Sequence, residues 1–130
     1  MKRKDFEDYR DIKLEINQLL AEKKSLNILP GKVADGMPRA KNQTSDATIQ
    51  TVLKILAIED SIYYNIRRLA QIRDGVEAAI EGLKSKERTL MRLRYYDGLK
   101  YREIAAKMHY DKDYIAKMHG KILARLVDDE

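Results

Sequence analysis

Between Lys100 and Arg125 seven basic side chains recur: Lys100, Arg102, Lys107, Lys112, Lys117, Lys121 and Arg125. Carried on one face of a helix, Lys117 can donate to the O6 and N7 acceptors of guanine, and Asp113 can accept from the amino group of cytosine. Lys112, Tyr114 and Ala116 fall beside them, and the small Ala116 and Gly120 leave room for close approach. A carboxylate such as Asp113 repels phosphate unless it is docked against a base, so its place among lysines favours specific contact. Lys100, Arg102, Lys107, Lys121 and Arg125 suit phosphate oxygens, which supply affinity and salt dependence without choosing a sequence. These two sets are the candidate base-contacting and phosphate-contacting residues.

Other chemistries find little support. The chain has no Cys, which excludes disulfide, thiolate-metal and cysteine-nucleophile chemistry. His109 and His119 have no carboxylate at metal-ligand spacing, so packing is the expected role of both. Neither a nucleophile elbow, a phosphate loop nor a metal-binding carboxylate set occurs, so no enzyme, catalytic residue, metal or cofactor is expected. Tyr95, Tyr96, Tyr101 and Tyr110 fall where a small core needs large amphipathic side chains, and they read as packing.

The charge is unevenly spread. The whole chain carries net +5, but residues 85–127 hold 11 basic and 5 acidic groups, a local excess of +6, ahead of the acidic Asp128-Asp129-Glu130. Residues 47–84 hold 5 of each sign. With 44% hydrophobic and 36% charged residues, 130 residues suffice for one compact helix-rich domain, or a small domain with a helical extension. The charged start, Met1-Lys2-Arg3-Lys4-Asp5, lacks an apolar signal core, and no stretch reaches the ~20 apolar residues that span a bilayer. A cytoplasmic protein without membrane contact is expected.

The elements that must position the basic face are all helical. Phe6, Tyr9, Ile12, Ile16, Leu19 and Leu20 recur at three- and four-residue steps and predict a helix over 4–24. Residues 25–46 contain both prolines, Gly31 and Gly36 and predict a loop of about twenty residues, a length uncommon in compact domains. From Ala47 the helical period returns through Ile49, Val52, Leu56, Ile62, Ile66, Leu69, Val76, Ile80 and Leu83, with Ser45 or Asp46 as N-cap. Unbroken to Glu81, despite Gly75, this helix runs to roughly 50 Å. The first helix can fold back over part of it; the C-terminal helices or a second copy would cover the rest. Residues 1–82 are thus expected to form a helical hairpin that can dimerise, and 83–127 a second domain. In the latter, one helix runs from a capping Ser85 to Tyr96, ended by Asp97-Gly98. A second runs from Tyr101 to Met108, and a third, capped by Asp111, from Lys112 to about Leu126, burying Ile115, Met118, Ile122 and Leu126. Two short helices joined at His109-Tyr110, the second N-capped, have the form of a helix-turn-helix.

These residues carry a resemblance. Leu83, Glu87, Arg88, Leu90, Met91, Leu93, Arg94 and Tyr95, followed by Leu99, Glu103, Ile104, Ala105, Met108, Tyr110, Asp111, Ile115, Met118, His119, Lys121, Leu123 and Leu126, resemble region 4 of bacterial sigma factors. In that four-helix module the last helix reads the promoter −35 element. The resemblance implies base contact at Lys112, Asp113 and Lys117, with Tyr114 near. His109 stands where sigma factors often have Gly, and Asp111 caps where they have Ser or Thr. Nothing resembles the sigma segment that melts promoters, so a complete sigma factor is not expected. The long helix, the Met37-Pro38-Arg39 to Thr44-Ser45-Asp46 segment and the region-4-like end together resemble the ArpU/RinA-type late transcriptional regulators of phages of Gram-positive bacteria. That resemblance implies an all-α, phage- or prophage-encoded regulator of transcription that binds double-stranded DNA in the host cytoplasm, with RNA polymerase and a second copy of the chain as further partners. Two other functions fit the same helices: a module that binds polymerase or another protein, and a small phage DNA-packaging (terminase) subunit, which would form a ring.

Overall fold

The computed structural model describes residues 1–26 and 46–127, and these are helical with no strand among them. Five α-helices follow one another: α1 Arg3–Leu26, α2 Asp46–Glu81, α3 Ser85–Met91, α4 Tyr101–Met108 and α5 Lys112–Leu126. Of the expected loop 25–46, Ser25 and Leu26 close α1, Asp46 opens α2, and the remainder, with Ser45, lies outside the described residues. The all-α class is as expected.

Two details differ from expectation in the third helix. Ser85 is not its N-cap. Lys84 holds that position in extended backbone (φ −66°, ψ 157°), Ser85 is already helical, and its carbonyl accepts from the Thr89 hydroxyl at 2.9 Å. Nor does the α-helix continue to Tyr96. After Met91 the backbone widens into a five-residue π-helical turn, Arg92–Tyr96, closed by the Asp97 amide on the Arg92 carbonyl at 3.1 Å. The wider turn brings Tyr95 fully into the core while Arg92 reaches back to the Glu81 carboxylate. Periodicity at 3.6 residues cannot announce such a turn.

α1 and α2 pack antiparallel. At the end that meets the C-terminal helices the contact is apolar, Phe6 and Tyr9 against Val76 and Ile80. Farther out it turns polar. The buried Asn65 amide donates to Glu15 at 2.8 Å and accepts from Arg68 at 3.0 Å, and Lys23 pairs with Glu59 at 2.9 Å. α2 spans about 54 Å at 1.5 Å per residue and continues through Gly75, where an added Cβ would lie 2.8 Å from the Met1 methyl.

The same apolar core runs on into the C-terminal helices. Leu90, Met91, Tyr95, Ile104, Ala105, Ile115, Ile122 and Leu123 join Phe6, Tyr9, Val76 and Ile80 in one cluster. Packing thus crosses residue 82, and α1 fixes the C-terminal helices as well as α2. Phe6 lies tilted on Tyr95 with centroids 5.4 Å apart, and the Arg10 guanidinium donates to the Gly98 carbonyl at 2.9 Å. Gly98 turns the chain with φ +73°, and a Cβ there would sit 2.6 Å from Leu14 Cδ2. Left-handed backbone costs a non-glycine residue about 1–2 kcal/mol, and Leu14 must also move. Gly98→Ala is therefore expected to destabilise the fold by about 1–3 kcal/mol, measured as a lower urea midpoint at unchanged m-value.

Candidate nucleic-acid interface

The turn between α4 and α5 is built by three local devices. His109 adopts the left-handed conformation (φ 63°, ψ 45°) that closes α4, as the sequence requires of a position often occupied by Gly. The Tyr110 amide then donates back to the Ala105 carbonyl at 3.0 Å. Asp111 starts α5, its carboxylate accepting from the Asp113 amide at 3.0 Å. At the head of α4 the Glu103 carboxylate accepts from the Lys100 amide at 2.8 Å, where a negative charge also complements the helix dipole.

The inner side of α5 is anchored by Ile115, His119, Ile122 and Leu123, all buried, with Met118 and Leu126 half-buried. The anchor is thus shifted slightly from expectation: His119 and Leu123 are buried beside Ile115 and Ile122, where Met118 and Leu126 are only half-buried. His119 accounts for its own burial. Its Nε2 lies 2.6 Å from the Tyr95 hydroxyl and its Nδ1 2.8 Å from the Tyr101 hydroxyl, so both ring nitrogens are hydrogen-bonded. Burial, reinforced by the nearby Arg94 and Arg3 charges, lowers its pKa from 6.5 to about 4, and the ring is neutral at pH 7. Burial also pushes the Tyr95 hydroxyl up to about 12, keeping it protonated as a partner.

The outer side of α5 is open. Lys112, Asp113, Tyr114, Lys117, Lys121, Ala124 and Arg125 are exposed, whereas Ala116 and Gly120 are half-buried; at Gly120 a Cβ would meet nothing within 4 Å. Among the described residues no ion pair involves Lys100, Arg102, Lys107, Lys112, Lys117 or Lys121. Arg125 differs from these: it pairs with Glu87 of α3, whose carboxyl that hydrogen bond holds below its usual range. Tyr114 is also engaged, its hydroxyl accepting from Lys86 Nζ at 3.1 Å.

Two residues missing from the sequence-based set enter through tertiary contact. Arg94, Lys100, Arg102 and Lys112, with Tyr101, line one open cavity of about 310 Å³ that has no acidic side chain in its wall. Three elements meet there, and Arg94 is fixed by stacking over Tyr101 (4.5 Å to the centroid) and by donating to the Leu99 carbonyl at 3.2 Å. Lys86 is the second. It stands 4.3 Å from the Tyr110 centroid and 5.2 Å from that of Tyr114, the two rings being 5.0 Å apart, and the two hydroxyls raise its pKa. The composition around Lys86 gives no hint of its contact, because α3 meets α5 across 28 residues of chain.

Among the described residues, no group of acidic or histidine side chains is arranged to hold a metal ion, and no helix is long and apolar enough to cross a membrane. Neither the curated proteins nor the solved structures contain a match to this chain. Residues 73–111, from the last turns of α2 through the cap of α5, match the family model described as Sigma-70, region 4. The matched stretch stops one residue before α5, a capped and anchored helix with an exposed cationic face. The C-terminal part of this all-helical chain is a sigma region 4-like helix-turn-helix.

Proposed function

We propose that the chain is a sequence-specific double-stranded-DNA-binding regulator of transcription of the ArpU/RinA phage type, with α5 as the recognition helix in the major groove. The observation that carries this reading is the convergence of Arg94, Lys100, Arg102 and Lys112 on one cavity without an acid in its wall, at the end of α5 that would enter the groove. Four cations brought together by three elements cost electrostatic repulsion, and a phosphate oxygen repays it. Lys112, Asp113, Tyr114, Ala116 and Lys117 then face base edges, the first turns of a recognition helix being the part that reads them. Lys100, Arg102, Lys107 and Lys121 hold the flanking phosphates, and Arg125 joins them from its pair with Glu87. In this reading residues 83–127 are the DNA-binding domain and 1–82 the arm that carries it, with RNA polymerase as a neighbour at the promoter.

Selection of bound fragments from a random duplex pool tests the proposal. A regulator returns a defined motif. A module whose partner is another protein returns none, and a packaging subunit, which also binds DNA, is told apart by its mass in solution, that of a ring.

A further inference from the structure

The first half of α2 leaves a band of large apolar side chains in water. Ile49, Val52, Leu53, Leu56, Tyr63, Tyr64 and Ile66 are each 44–66% exposed. Seven such residues within eighteen positions exceed the scattered surface hydrophobes of a monomer and mark an association surface.

The spacing identifies what the surface fits. Ile49, Val52, Leu56, Glu59, Tyr63 and Ile66 follow alternating steps of three and four, the register of a two-helix seam. On the same helix Ile58, Ile62, Asn65, Leu69, Ile72 and Val76 follow the same rule and face α1. At 100° per residue the two stripes lie roughly 120° apart, so α1 cannot cover both. A groove of about 370 Å³ between α1 and α2, lined by Leu20, Tyr63 and Ile66, opens beside the free stripe.

We infer that this stripe is a homodimer seam in which two copies of α2 pack antiparallel about a two-fold axis near Ala57. In that register Ile49 lies opposite Ile66 of the partner subunit and Val52 opposite Tyr63 of the partner subunit, so apolar layers meet at both ends. The flanking positions place Asp46 against Arg67 of the partner subunit, an opposite-charge pair made twice by symmetry. Glu59 is the one acid in the seam, and it enters already paired with Lys23 of its own chain at 2.9 Å. The parallel alignment sets Glu59 against Glu59 and leaves Asp46 without a basic partner. Charge pattern and apolar pattern thus select the same arrangement. It sends the two helix-turn-helix ends in opposite directions, each roughly 35 Å of helix from the axis. The seam gives the DNA-binding arm its second copy, but its evidence lies wholly in α2 and is independent of the DNA reading.

Sedimentation velocity of the full chain at micromolar concentration is expected to give twice the 15.1 kDa chain mass. Leu56→Glu is expected to weaken the dimer roughly 100-fold or more, because two charges enter the seam per dimer. Its circular dichroism should be unchanged, since Leu56 is 52% exposed in the single chain. The absence of Cys makes cross-linking clean. An equimolar mixture of Val52→Cys and Tyr63→Cys chains should oxidise to the mixed disulfide dimer in preference to either self-linked dimer. A monomeric mass throughout the range, as residues 27–45 folding over the stripe would give, overturns the inference. So does a dimer indifferent to Leu56→Glu, or Val52→Cys linking preferentially to itself. Each of these leaves duplex binding by α4 and α5 untouched, so the two readings fail separately.

Discussion

Lys117→Ala is expected to lower affinity for the cognate duplex by about 1–3 kcal/mol, roughly 5- to 150-fold, and to relax the preference at one base position. Arg102→Ala is expected to behave differently: it should weaken all duplex sequences alike and reduce the dependence of log K on log salt by about one. The contrast follows from the positions of the two side chains. Lys117 is exposed on the open face of α5 and in no ion pair among the described residues, whereas Arg102 sits in the four-cation cluster at the start of that helix. Replacing Lys100, Arg102 and Lys112 together should lower the salt slope by about three, each cation releasing one counterion fewer. Fluorescence anisotropy against cognate and scrambled duplexes at several salt concentrations reads both quantities. Unchanged binding by both single variants means that the wrong face of α5 has been assigned.

Acidification should unfold the protein through one residue. His119 has a folded-state pKa of about 4 against 6.5 for the free side chain, because burial between Tyr95 and Tyr101 disfavours the imidazolium. Between those two values the unfolded chain binds more protons than the folded one, so stability rises with pH across that window. The contribution of His119 is fully present above about pH 6.5, declines as pH falls, and is lost below about pH 4. Its size is about 3 kcal/mol at 1.36 kcal/mol per pKa unit, a large part of the stability of a small domain. Urea unfolding at pH 7, 6, 5 and 4.5 should show the decline, and His119→Gln should flatten it while lowering stability at pH 7. Tyr95→Phe leaves His119 Nε2 buried without its partner and should cost about 1–3 kcal/mol at pH 7. A slope retained in His119→Gln would assign the acid sensitivity to the carboxylates.

The helix-turn-helix was legible in the sequence because its signals are local. Ile104, Ala105 and Met108 repeat at helical spacing, Asp111 caps, and Ile115 and Ile122 return at one full heptad; the bounds of α4 and α5 follow from these alone. The π-helical turn was not legible, since nothing in Arg92–Tyr96 distinguishes it from another turn of α-helix. Ser85 misled for a related reason: a good capping residue one position inside the helix looks the same as one at its boundary. The site divides likewise. Exposure of Lys112, Lys117 and Lys121 follows from the apolar stripe beneath them. The Arg94 cluster, the Lys86–Tyr114 bond and the engagement of Arg125 by Glu87 depend on which helices meet, which the helical period does not encode. The period of α2 likewise reads as one apolar stripe, and does not show that its residues divide between a face that α1 covers and a face that it leaves open. On the covered face Val76 and Ile80 are buried, while Ile49, Val52, Leu56 and Ile66 stay in water.

Docking of the outer face of α5 and the cations at its head on a duplex is read by titrating the full chain against a labelled duplex from ~50 to ~200 mM salt. Binding is expected to have a log K that falls linearly with log salt, by about 0.9 for each phosphate neutralised, so that Lys100, Arg102 and Lys112 alone give a slope of about 2.7. Absence of duplex binding at the lowest salt, or binding indifferent to salt, contradicts it.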